Sequence, residues 1–73
     1  MPRRLGLSPL QRDVMLLLEE AGAETVDTVL ATLKITDVEQ FNGQINGLIT
    51  LGLVRKEASH LVLTTRGKVA LRT

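Results

Sequence analysis

The sequence predicts a small α+β domain, mainly α, in which three helices are followed by a β-hairpin and a short C-terminal helix. Three observations predict it: paired helix-start signals, an amphipathic stripe ended by glycine, and a late change from helical to alternating apolar spacing. The stretch from Ile35 to Val54, ITDVEQFNGQINGLITLGLV, organises the rest. Val38, Phe41, Ile45, Leu48 and Ile49 recur at steps of three and four, which puts them on one helix face opposite a polar one. Thr36 and Glu39 have capping-box spacing, so the helix is expected to start at Thr36 and run to residue 51. Gly52 supplies a cheap left-handed stop before Leu53-Val54 begins an extended run.

Size and composition set the outer limits. With 73 residues the chain holds one domain, whose small core would gain from dimerisation or tight helical packing. Apolar residues make up 44% of it and aromatic residues 1%, so the core is aliphatic around the single Phe41. Without cysteine there are no disulfides or thiolate metal sites, a composition that fits an intracellular protein. No apolar run has membrane-spanning length, and Met1-Pro2-Arg3-Arg4 is not followed by a signal-peptide segment, so a soluble cytoplasmic protein is expected. Net charge is +1 overall, but −1 over residues 1 to 35, −2 over 36 to 52 and +4 over 53 to 73. The positive charge therefore sits at the two ends, in Arg3 and Arg4 of the first seven residues and in residues 53 to 73.

Residues 1 to 7 carry an arginine pair, a proline and a glycine without periodicity, and are expected to form a flexible basic arm ahead of a domain spanning 8 to 73. Ser8, Pro9 and Gln11 combine a cap, a proline at the first helical position and a reciprocal partner three residues on. The first helix should bury Leu10, Val14, Leu17, Leu18 and Ala21, leave Met15 at the edge, and end at Gly22. Thr25 should open a shorter second helix with Val26, Val29, Leu30 and Leu33 inward. Its β-branched residues make it dependent on packing. Lys34-Ile35 leaves a connection short enough for a helix-turn-helix.

Beyond Gly52, residues 53 to 57 and 60 to 64 read as two short strands around a tight Ala58-Ser59 turn, with Leu61 and Leu63 on one face. Thr64 should cap a last helix that carries Gly67 in its first turn.

This order, and the residues Leu48-Ile49-Thr50-Leu51-Gly52-Leu53-Val54 followed by Leu63-Thr64-Thr65-Arg66-Gly67, resemble the winged helix-turn-helix family, in the type of small prokaryotic or phage transcription regulators. The similarity covers roughly residues 8 to 72. It implies a sequence-specific double-stranded DNA-binding protein with helix 36 to 51 as recognition helix and the hairpin as wing; a homodimer is expected from the small size and from the affinity and register that two half-sites give. On that resemblance Gln40, Asn42, Gly43 and Asn46 are the base contacts, the amides being able to pair bidentately with adenine. Arg3, Arg4, Lys34, Thr36, Arg55, Lys56, Arg66 and Lys68 are the backbone contacts. Amides on a helix surface are commonly only solvated, and both readings stand here.

The competing class is a winged-helix module that docks a protein partner and does not bind DNA. The recognition helix has no Lys or Arg and carries Asp37 and Glu39 at its start, which opposes phosphate. Gly43 and Gly47, four apart, each cost helix propensity, which suggests close approach by another helix of the fold, by DNA or by a second subunit. Catalysis is not expected. The lone His60 has no metal partner at ligand spacing, Ser8 and Ser59 are explained by a cap and a turn, and no phosphate-binding loop or cofactor motif is present.

Overall fold

The computed structural model describes residues 6–72. Among them run α1 (Pro9–Ala21), β1 (Ala23–Thr25), α2 (Val26–Thr32), α3 (Val38–Thr50), β2 (Val54–Glu57), β3 (His60–Leu63) and α4 (Thr65–Leu71). The strands form an antiparallel sheet in the order β1-β3-β2.

Each helix starts where a side-chain oxygen takes over an orphan backbone donor. Ser8 and Gln11 form the reciprocal box expected of them: the Gln11 N–H donates to Ser8 Oγ and the Ser8 N–H to Gln11 Oε1. Thr25 accepts from the Thr28 N–H, and Thr64 from the Gly67 N–H. For α3 the cap lies one residue later than the sequence reading: the Asp37 carboxylate accepts from the Gln40 N–H at 2.9 Å, and Thr36 stands just outside. Asp37 and Gln40 have the same spacing as Thr36 and Glu39, and the carboxylate is favoured at the positive end of the helix.

The helices also stop for identifiable reasons. Gly22 ends α1 at φ 92°, its N–H still reaching the Leu18 carbonyl. Gly52, at φ 76°, closes α3 with two bonds, from its own N–H to Ile49 and from the Leu53 N–H to Leu48. This pair is the Schellman pattern. The same pattern closes α2, with Lys34 and Ile35 N–H groups reaching Ala31 and Leu30, but there Lys34 occupies the left-handed position at φ 55°.

The core joins α1, α2, α3 and the inner face of the sheet. Val14, Met15 and Leu18 meet Val29, Phe41, Ile45 and Leu48, and Leu53, Val54, Leu61 and Leu63 close the layer. Met15 is fully buried while Ala21 is exposed, the reverse of the expected edge and stripe. Val38 and Ile49, expected inward, are 48% and 37% exposed, because only the narrower arc of Phe41, Ile45 and Leu48 faces α1 and the sheet.

The expected two-stranded hairpin is part of a three-stranded sheet. β1 was not legible as a strand, since three residues carry no periodicity, and its existence depends on Ala23, Glu24 and Thr25 pairing with Val62, Leu61 and His60. Ala58-Ser59 turns the hairpin with Glu57 opposite His60, and Ala58 takes φ 54°. Leu7, placed in the arm by its sequence, packs against the core; residues 1–5 of the arm, Arg3 and Arg4 included, lie outside the described residues. No helix among the described residues is long and apolar enough to cross a membrane.

Candidate functional site

The polar side of α3 divides into two flanks with different employment. One flank meets the start of α1. Gln11 Nε2 donates to the Gln44 main-chain carbonyl at 3.1 Å, and Ser8 Oγ donates to Gln44 Oε1. The same Gln11 nitrogen lies 3.1 Å from where a Cβ on Gly47 would stand. Gln44 and Gly47 are therefore packing positions against α1. Close approach within the fold explains Gly47. It does not explain Gly43, whose added Cβ would meet nothing within 4 Å.

The other flank is open. At roughly 100° per residue, Val38, Asn42, Asn46 and Ile49 fall within an arc of about 80°. Asn42 and Asn46 are exposed, and their side chains make no hydrogen bond among the described residues. Together with Val26, Ile49, Lys56 and Leu61 they line an open concavity of about 280 Å³ between the start of α2, α3 and the hairpin. Gln40 is exposed too, but it lies about 120–160° around the helix from these two amides, on the α1 flank. The structure thus brings together Asn42 and Asn46 and separates Gln40 from them.

The cations divide in the same way. In the register of the hairpin, Lys56 stands opposite Leu61 and Arg55 opposite Val62, so the two side chains leave opposite faces of the sheet. Lys56 reaches the concavity and forms no ion pair among the described residues. Arg55 leaves the other face, where it pairs with Glu57 at 2.7 Å in an exposed position. Arg66 lies across Gly52, its Cδ 3.6 Å from where a Cβ there would stand, at the carbonyl end of α3. Lys68 is exposed on α4, which packs chiefly on α1 and β3. Lys34 and Thr36 are exposed in the turn between α2 and α3.

Sequence reasoning missed the apolar members of the open flank, because Val38 and Ile49 have the spacing of a buried stripe and no local signal sets them apart. The placement of Lys56 was legible: a two-residue turn at Ala58-Ser59 forces position 56 opposite 61. Among the described residues no group of three or more His, Asp or Glu side chains is placed to hold a metal ion. No protein-family model matches the chain, and no curated protein or solved structure matches it.

Proposed function

We propose that the chain is a winged helix-turn-helix protein that binds double-stranded DNA sequence-specifically as a homodimeric transcription regulator, with α3 as its recognition helix and β2–β3 as its wing. The observation that carries this reading is the pair Asn42 and Asn46 beside Lys56, whose side chains have no polar partner among the described residues. Two amides able to read base edges stand next to a cation able to take a phosphate, on the open flank of a helix whose width a major groove admits. The helix order and the hairpin behind α3 support it as well. Two copies of so small a domain would gain affinity and register from two half-sites.

The test is fluorescence anisotropy with random-sequence duplex DNA at low and at physiological salt, with solution mass measured alongside. Micromolar binding that weakens with salt is the expected result, since the cations that meet the backbone then displace counterions from it. No binding at low salt would overturn the reading.

A second reading is favoured by one specific observation. Val38 and Ile49 expose 48% and 37% of their surface side by side on a helix without a single cation, a composition suited to docking a protein. Failure to bind DNA would turn attention to this surface.

A further inference from the structure

Resting on the DNA reading, we infer that the open flank of α3 selects A·T base pairs in the major groove and disfavours G·C at the positions it touches. The argument is one of donor and acceptor chemistry. The commonest specific contact to guanine is Arg or Lys donating to O6 and N7, and α3 holds neither residue. Asn offers one donor and one acceptor in fixed geometry, which complements the N7 and N6 edge of adenine. The apolar neighbours point the same way. Val38 and Ile49 share the arc of Asn42 and Asn46 and are among the most exposed large apolar side chains of the described residues. Thymine alone among the bases places a methyl group in the major groove, and burying it against Val38 or Ile49 offsets the exposure of those side chains.

Spacing fixes the expected pattern. Asn42 and Asn46 are four residues apart, about 6 Å along the helix axis, close to two base-pair steps of about 3.4 Å each. A helix lying along the groove therefore places its two amides on A·T pairs about two steps apart. Lys56, across the concavity from them, is positioned for the adjoining phosphate. Gly43, between the open flank and the α1 flank, leaves the backbone of α3 bare at the margin of this surface. Glu39 is the exception on this side. Its carboxylate would accept from cytosine N4, and it marks the one place where α3 could admit a G·C pair.

The test is selection from a random duplex library with the full chain, followed by anisotropy titration of the enriched duplex and three modified forms. One form has 7-deazaadenine for adenine, one has uracil for thymine, and one has G·C pairs at the enriched positions. The expected outcome is an A·T-rich core. Affinity should fall on the order of tenfold for each 7-deazaadenine under an amide and severalfold for loss of the thymine methyls. The exposed variants N42A and N46A, with circular dichroism showing the fold retained, should lose selectively the 7-deazaadenine effect. V38A and I49A should lose the uracil effect. A guanine-rich core, no enriched core, or indifference to both modifications overturns the inference while leaving the DNA reading in place. No binding to any duplex at low salt overturns both.

Discussion

The main-chain oxygen of Leu53 occupies the space where Gly67 would carry its Cβ. Leu63 Cδ1 stands 2.6 Å from the same point, and Gly67 is buried within the first turn of α4. Replacement by alanine requires backbone to move, because the Leu53 carbonyl is also held by the Thr64 N–H at 3.0 Å. Gly67→Ala should cost about 2–3 kcal/mol. Gly43→Ala, in open space on α3, should instead stabilise by about 0.5–1 kcal/mol. Urea denaturation of the two variants checks both signs.

Thr64 is the partner of this arrangement. Its hydroxyl donates to the carbonyls of Gly52 at 2.7 Å and Leu53 at 3.0 Å while accepting from the Gly67 N–H. A single oxygen thus joins the end of α3 to the start of α4. Thr64→Val keeps the shape and removes those bonds, and should destabilise by about 1–3 kcal/mol. Thr64→Ser should recover most of that loss in the same unfolding titration.

Two positions hold side chains in a conformation that suits glycine, Lys34 at φ 55° and Ala58 at φ 54°. The left-handed region costs an L-residue roughly 1–2 kcal/mol, partly offset by the greater unfolded-state freedom of glycine. Lys34→Gly and Ala58→Gly are each expected to raise stability by about 0.5–1 kcal/mol. If Lys34 contacts phosphate, as the family resemblance implies, its replacement should also weaken DNA binding and flatten the salt dependence, whereas Ala58→Gly should leave both unchanged.

The Arg55–Glu57 pair is exposed on both sides. Such pairs contribute about 0–1 kcal/mol, so Glu57→Gln should leave the unfolding midpoint nearly unmoved. Its informative effect is on DNA. Removing a carboxylate beside Arg55 should raise affinity at low salt if that face meets the backbone, and have no effect if only the Lys56 face does.

Much of the fold was legible because local chemistry and tertiary packing agree. Ser8 with Gln11, Gly22, Gly52 and Thr64 each satisfy backbone groups in the way their residue types require, and nothing distant overrules them. The Leu53 and Thr64-to-Gly67 contacts give the two family-like motifs a common physical cause. They interlock, one supplying the carbonyl that the other must approach. The start of α3 was off by one because Thr36 and Asp37 are both good caps with a suitable residue three positions on. β1 was missed because only its partner makes it a strand. At the candidate site, the amides could be read from the sequence, but their division into structural and free could not. That division depends on α1 crossing α3 at Gln44 and Gly47, and nothing within α3 announces it.

Because β3 is held on one side by β2 and on the other by β1, its registration does not rest on the turn at Ala58-Ser59 alone. Thr25, the last residue of β1, is also the cap of α2, so the outer strand is welded to the helical part of the molecule. A one-residue slip would turn Leu61 and Leu63 out of the core and detach both neighbours at once. The tip is consequently a permissive place for added length. A longer, more basic loop could be carried there on an unchanged body, which makes the hairpin tip the natural point for re-engineering how the molecule meets its target.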